Sequence, residues 1–202
     1  MPINSIYSAD LESGSFYHIF NRSHSDLVLF EKPYHYSRFL NKTEYYLHEY
    51  MDFFAYSLIP NHFHYLVRVK NIEQYQYIEK YSSVDKFLTQ QFKNLFISHT
   101  KYINETEDRH GGLFCTPFRI RLVEDENYFE RLFYYIHWNH VHHGIARKLE
   151  DYTYSSYSDY RLNLKSFVNK EFGYAWFGGK EHFLKKHQEH SDYISGLEFE
   201  NE

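Results

Sequence analysis

The sequence is poor in cysteine and contains no long apolar run. Its single cysteine, Cys115, excludes an internal disulfide and a zinc site built from several cysteines. No apolar stretch approaches the length of a membrane span, and residues 1–15 lack the basic and apolar regions of a secretion signal. These absences predict an intracellular protein, which we expect to be cytoplasmic. No Pro- or Gly-rich linker interrupts the 202 residues, a length typical of one domain.

The charge balance argues against promiscuous nucleic-acid binding. The net charge is −5 with histidines neutral, and no block of Lys or Arg occurs along the chain. Because neutralisation of phosphates by basic residues supplies most non-specific affinity, we do not expect tight binding to DNA regardless of its sequence. A specific site with a few cations is compatible with this balance. The aromatic share of 21% serves either a packed core or the stacking of nucleobases, and composition does not distinguish the two.

Residue patterning predicts an α+β fold. Alternation of apolar and polar side chains predicts four strands: 15–22, 52–59, 62–70 and 117–125. Helical spacing of apolar side chains predicts three helices: 31–50, 83–105 and 126–144. The resulting order β-α-β-β-α-β-α is that of a ferredoxin-like split βαβ fold, with an antiparallel sheet and one added helix.

The pattern of apolar residues weakens after about residue 160. We therefore divide the chain into a domain over residues 1–160 and a C-terminal extension over 161–202, whose role the sequence does not reveal. Within the extension, the stretch KEHFLKKHQEHSDYI (180–194) predicts a short terminal helix.

Two histidines stand one residue apart in PNHFHYLV (60–67). Side chains alternate across a strand, so His62 and His64 share one face, opposite the apolar face of Phe63 and Tyr65. Two neutral imidazoles so placed can bind one cation through their ring nitrogens. A pair of surface histidines on a half-exposed strand is the alternative, because a chain with 15 histidines contains such pairs by chance.

The stretch YYIHWN (134–139) offers partners for this pair. Tyr135 and Asn139 are four residues apart, so they share a face of the predicted helix. An Asn carbonyl oxygen suits Mg²⁺ or Mn²⁺ as a third ligand, and a phenol one turn away could act as a nucleophile toward a metal-polarised phosphate. Among 22 tyrosines, spacing alone does not decide this. Most of the histidines at this helix end are expected to be solvated or near the C-terminal dipole: His137, His140, His142 and His143.

Four stretches together resemble a known family: YHIFNRS, YSLIPNHFHYLV, GGLFCTPFRIRLVEDENYFERLFYYIHWNHVHHGI and YTYSSYSDY. Over roughly residues 15–160 the chain resembles the REP-associated tyrosine transposases, which belong to the single-tyrosine HUH transposases (U is a hydrophobic residue). The pairing of PNHFHYLV with YIHWN, separated by a helix and a strand, is the most specific part of the resemblance.

The resemblance implies a role for each residue of the candidate site. His62 and His64 correspond to the metal ligands, and Asn139 occupies the place of the third metal-coordinating side chain. Tyr135 corresponds to the nucleophile that attacks a DNA phosphodiester and forms a 5′-phosphotyrosine. The cation, Mg²⁺ or Mn²⁺, would polarise the scissile phosphate and stabilise the 3′-OH leaving group. Substrates of the family are single-stranded DNAs folded into imperfect hairpins.

Tyr134 is the nearest competitor of Tyr135 for the role of nucleophile. The two side chains lie about 100° apart around a helix, so both cannot face the same cation. The position before Ile136 matches the family better and favours Tyr135. The chain also departs from the family, which usually has Asn-Pro-Val where this sequence has Asn139-His140-Val141, so the end of the helix is expected to differ.

Recognition of DNA by an acidic protein depends on a few cations and on aromatic stacking. Five basic residues are candidates for DNA contacts: Arg22, Arg68, Lys70, Arg119 and Arg121. For each of them an ordinary solvated surface charge is the alternative.

The leading hypothesis is a metal-dependent nuclease and strand transferase that acts on single-stranded or hairpin DNA. A domesticated hairpin-DNA-binding protein without strand transfer is the first alternative, although the complete set of four site residues argues against simple loss of activity. A metal hydrolase of small molecules would need a deep apolar pocket and an acid/base pair, which the sequence does not show. The sequence leaves open whether the protein is a monomer or a homodimer, and therefore whether Tyr135 acts in cis or in trans.

Overall fold

The secondary structure follows the predicted order. The computed structural model describes residues 5–25, 27–75 and 78–189. The strands and long helices are β1 (Phe16–Arg22), α1 (Pro33–Leu47), β2 (Met51–Ile59), β3 (His62–Val69), α2 (Val84–Thr106), β4 (Arg119–Leu122) and α3 (Glu126–His142). Three shorter helices follow: α4 (Ser156–Leu162), α5 (Lys170–Trp176) and α6 (Lys180–Glu189). The last five residues of the helix predicted over 180–194 lie outside the described residues.

The four strands form one antiparallel sheet in the order β2-β3-β1-β4. The first and third strands therefore lie side by side at the centre, which confirms the predicted α+β, ferredoxin-like arrangement. A two-residue turn, Pro60-Asn61, joins β2 to β3, so that His62 begins β3 directly opposite Ile59. This tight connection fixes which face of the sheet receives the histidine pair.

Helices cover both faces of the sheet. On the first face, Phe39 of α1 packs against Phe63 of β3 with ring centroids 5.3 Å apart. On the second face, Phe129 of α3 packs edge-to-face on Phe16 of β1 at 5.4 Å. Leu66, which shares this second face with the histidine pair, is fully buried. The second face is therefore mainly apolar, because the apolar residues of α3 pack on it. The histidine pair is one of the few polar groups within this interface.

Side-chain caps begin α2 and α3. Ser83 caps α2, because its hydroxyl accepts the backbone N–H of Lys86 at 3.1 Å. Asp125 caps α3 in the same way, its carboxylate accepting the N–H of Tyr128 at 2.7 Å. Each cap satisfies one of the unpaired amides of a helix start, and removal of such a cap costs about 1 kcal/mol.

Helix α3 ends in a Schellman motif at Gly144. The backbone φ of Gly144 is +68°, in the left-handed region that favours glycine. Its N–H bonds to the carbonyl of Val141, and the N–H of Ile145 bonds to that of His140, each at 2.9 Å. The helix thus runs to His142 and is stopped at Gly144, in agreement with the helix predicted over 126–144.

The chain beyond residue 160 packs onto the second face of the sheet. Phe172 of α5 lies against Phe54 of β2 with ring centroids 4.4 Å apart, and Phe183 of α6 packs against Phe133 of α3 at 5.9 Å. The division of the chain at residue 160 stays a prediction; in the structure this position falls inside α4. Within the described ranges, no helix is both long and apolar enough to cross a membrane.

Candidate active site

The two histidines of β3 lie between the sheet and α3. Their ring centroids are 5.0 Å apart, and the rings meet edge-to-face. His64 is 3% exposed, while His62, beside the turn, is half-buried. Burial and the neighbouring His143 lower the pKa of His62 to about 3. Burial also lowers the pKa of His64. Both rings are therefore neutral at pH 7 and offer a nitrogen lone pair.

A hydrogen bond indicates which nitrogen of His62 carries the proton. Nδ1 of His62 lies 2.9 Å from Oδ1 of Asn61. Since a carboxamide oxygen only accepts, Nδ1 must donate, and in the neutral ring the lone pair then stands on Nε2. The turn that begins β3 thus sets the tautomer of its first residue.

Sequence reasoning missed His18, the polar neighbour of His64 on β1. His18 is fully buried, and its Nε2 lies 2.8 Å from Nδ1 of His64. Its ring also stacks on Phe20 at 4.5 Å. Alternation along β1 places His18 on one face with Phe16 and Phe20, so the strand pattern held a signal. The register that brings His18 beside His64 is a long-range feature that this pattern does not contain.

Tyr135 of α3 lies directly against the histidine pair. Its ring centroid is 5.3 Å from that of His64, in an edge-to-face arrangement, and 6.3 Å from that of His18. Tyr135 is only 4% exposed. Tyr134 faces another way, because its hydroxyl donates to Glu130 at 2.9 Å and its ring contacts His187 at 4.8 Å. The structure therefore brings Tyr135, rather than Tyr134, to the histidines.

Asn139, one turn after Tyr135, is fully buried. It lies close enough to His62 to act on the pKa of that ring. Yet, among the described residues, neither Oδ1 nor Nδ2 of Asn139 makes a bond of acceptable geometry. An unsatisfied buried carboxamide costs about 1–3 kcal/mol. A buried carboxamide beside His62 is a candidate third ligand for a cation held by the histidines.

The donor set fits a divalent cation. His62 and His64 offer neutral nitrogens, and Asn139 offers a carboxamide oxygen, a combination compatible with Mg²⁺ or Mn²⁺. Within the described part of the chain, no group of three or more His, Cys, Asp or Glu side chains is arranged to hold a metal ion. The candidate set contains only two such side chains, because its third member is an asparagine.

The histidines near the end of α3 divide into two groups. His137 and His140 are both 0% exposed, so neither is solvated, although His140 lies in the last turn of α3 as expected. The helices after residue 155 cover His137, and His140 stacks on Tyr152 with ring centroids 4.6 Å apart. His143 is exposed and packs edge-to-face on His62 at 4.7 Å.

Three of the candidate DNA contacts lie on the β1–β4 side of the site. Arg22 is exposed at the end of β1, opposite His62 in the register. Arg119 and Arg121 of β4 are half-buried and align with β1 residues beside the site. Their guanidinium groups lie over aromatic rings, that of Arg121 at 4.3 Å from Tyr128.

The other two candidates, Arg68 and Lys70, contact an acidic residue of the fold. Arg68 forms an ion pair with Asp52 at 2.7 Å and lies over the ring of Phe16 at 5.6 Å. Lys70 lies 3.8 Å from Asp52 and donates to the carbonyl of His48 at 2.7 Å. These contacts give both side chains a structural role at the end of β3 away from the histidine pair.

A cavity of about 580 Å³ lies at the other end of the strands, near the start of α2. Acidic side chains dominate its lining, including Asp10, Glu73 and Asp85. A hydrolase of small molecules would need an apolar pocket at the histidine pair. This cavity is neither apolar nor close to the pair.

Comparison with known proteins supports the fold. No protein-family model matches the chain, and no curated protein matches it. The structure is similar to that of a REP-associated tyrosine transposase bound to a REP hairpin, with a TM-score of 0.57 and 12% sequence identity. The match covers 80% of this chain and 88% of the other. At this identity the likeness shows a shared fold, in agreement with the resemblance found in the motifs.

Proposed function

We propose that the protein cleaves and rejoins single-stranded hairpin DNA through Tyr135, with a divalent cation held by His62, His64 and Asn139. The observation that carries this proposal is the contact between Tyr135 and His64 within one chain, one turn from the buried Asn139. The shared fold supports DNA as the substrate, because the similar structure is a transposase bound to a hairpin.

The chain's own residues supply the nucleophile and would hold the cation that orients the phosphate. The Tyr135 oxygen forms a bond to phosphorus as the bond from phosphorus to the 3′ oxygen breaks, and the phenolic proton passes by way of solvent to the departing oxygen, which leaves as a 3′-OH. His62 and His64 are neutral, so each has one ring nitrogen with a lone pair that can bind the cation. A bound Mg²⁺ or Mn²⁺ would polarise the phosphate and stabilise the departing 3′ oxygen. Attack by a 3′-OH on the phosphotyrosine restores both the phosphodiester and the tyrosine, so rejoining needs no other energy source.

Single-stranded DNA would approach from the β1–β4 side of the site. Arg22, Arg119 and Arg121 lie there, and α3 covers the opposite side of the same sheet face. A few cations at this position suit binding of one specific strand, whereas the net charge of −5 disfavours general affinity for DNA. Arg68 and Lys70 are weaker candidates, because Asp52 already engages both.

A denaturing gel tests the proposal. The protein is incubated with Mn²⁺ and labelled single-stranded hairpins from the DNA that flanks its own gene. We expect a covalent protein–DNA adduct that disappears with EDTA and in Tyr135→Phe, and that persists in the control Tyr134→Phe. An adduct that survives in Tyr135→Phe would overturn the assignment of the nucleophile.

A hairpin-binding protein without strand transfer is the second candidate. The observation that favours it is the burial of Tyr135, whose 4% exposure leaves little access for a phosphate in this conformation. Tight, metal-independent binding of the same hairpins, with no adduct, would support this candidate over the transferase.

A further inference from the structure

We propose that His18 is a positioning residue that fixes the tautomer and the ring orientation of His64. The inference rests on the proposed function only in assigning a metal-binding role to His64. The arrangement of the two rings can be tested without any metal.

The contact between the two rings has the geometry of a strong hydrogen bond. Nε2 of His18 and Nδ1 of His64 are 2.8 Å apart, a short distance for two ring nitrogens. The ring planes differ by only 25°, with centroids 5.1 Å apart. The rings therefore meet edge to edge and nearly coplanar, which directs the N–H of one ring along the in-plane lone pair of the other.

The surroundings hold His18 in this orientation. Its ring stacks on Phe20 at 4.5 Å with an interplanar angle of 24°, and the edge of Tyr135 closes on it at 6.3 Å. His18 is 0% exposed. A ring fixed by neighbours on β1 and α3 is a rigid partner for His64, which stands on the adjacent strand.

Only one of the two proton arrangements leaves His64 able to bind a cation. If His18 donated, Nε2 of neutral His64 would carry the proton and would have no lone pair. If Nδ1–H of His64 donates, His18 accepts and Nε2 of His64 is free. We assign the second arrangement. Partners of this kind orient metal-binding histidines, and their loss typically weakens metal affinity 10–100-fold.

Two nearly isosteric substitutions separate the effect of the hydrogen-bond acceptor on His18 from the effect of its packing. His18→Gln keeps an acceptor at the end of the side chain, whereas His18→Met fills similar space without one. We expect His18→Met to weaken Mn²⁺ binding, measured by isothermal titration calorimetry, by about 10–100-fold. His18→Gln should stay within a few-fold of the wild type. Equal Mn²⁺ affinity of His18→Met and the wild type would overturn the proposal.

A second measurement keeps the inference separate from the proposed function. Long-range ¹⁵N–¹H NMR of the metal-free protein reports which nitrogen of His64 carries the proton. We expect protonation at Nδ1, and a proton on Nε2 would refute the role of His18 even if one of the substitutions prevents folding. Protonation at Nδ1 in a protein that forms no DNA adduct would uphold the role of His18 and refute the transferase.

Discussion

His137 and His187 form a fully buried pair that joins the tyrosine helix α3 to α6, the last helix of the described residues. Nδ1 of His137 lies 2.9 Å from Nε2 of His187. Because Nδ1 of His187 donates to the carbonyl of Phe183 at 2.8 Å, its Nε2 must accept from His137. Nε2 of His137 in turn accepts from the hydroxyl of Ser156 at 2.7 Å. A continuous polar network therefore fixes the helix that carries Tyr135.

Loss of the His187 acceptor should destabilise this arrangement. His187→Leu keeps most of the volume but leaves the buried N–H of His137 without a partner, which costs about 1–3 kcal/mol. The free energy of unfolding in urea measures the effect. Lys185→Ala, an exposed position on the same helix, serves as the control and should stay within about 0.5 kcal/mol of the wild type. Equal stability of His187→Leu and the wild type would show that the network contributes nothing.

Acidification should destabilise the fold through buried histidines such as His99. Burial lowers the pKa of His99 from 6.5 to about 4, while Nε2 donates to the carbonyl of Leu29 at 2.9 Å. Below pH 6.5 the unfolded chain binds a proton that the native state does not. Stability is therefore complete above pH 6.5 and falls toward pH 4, by about 1.4 kcal/mol per pH unit for this group.

His99→Gln tests the contribution of this residue to the pH dependence. Glutamine retains a donor for Leu29 but does not titrate. Urea unfolding at pH 5.0, 6.0 and 7.5 should show a smaller loss of stability on acidification for the variant than for the wild type. A pH dependence identical to that of the wild type would mean that His99 titrates alike in the folded and unfolded states.

The sequence predicts the sheet and the long helices because local periodicity determines them. The alternation along 62–70 and the N-cap Ser83 are visible without any knowledge of the fold. Helices α4 and α5 are only seven residues each, too short for a periodic signal. Their existence depends on packing against α3 and β2, which is a tertiary effect.

From the sequence, only those relations of the candidate site that lie within a single strand or helix could be predicted. The shared face of His62 and His64, and that of Tyr135 and Asn139, follow from strand and helix geometry. The bond between His18 and His64 depends on the register of two strands distant in sequence. The burial of His137 likewise depends on α4 and α6, which no local pattern relates to α3.

The structure predicts that Tyr135 acts in cis. Its ring contacts His64 of the same chain, so one protomer can supply both the tyrosine and the histidines of the proposed site, whether or not the protein dimerises. A mixture of Tyr135→Phe and His64→Ala should therefore form no more adduct with hairpin DNA than either variant alone. Adduct formation that rises on mixing would show exchange of α3 between protomers, with the tyrosine acting in trans.

Arg22 and Arg68 should differ in what their substitution changes. Arg22 is exposed beside His62, so Arg22→Gln should weaken binding of single-stranded DNA. Loss of one phosphate contact should also reduce the slope of log K against log salt by about 0.7. Arg68→Gln breaks the ion pair with Asp52, so it should lower the free energy of unfolding while the salt slope stays unchanged. Fluorescence anisotropy with a labelled hairpin at several salt concentrations, together with urea unfolding, measures both properties. A reduced salt slope in Arg68→Gln alone would place the DNA path at the far end of β3 and away from the β1–β4 side.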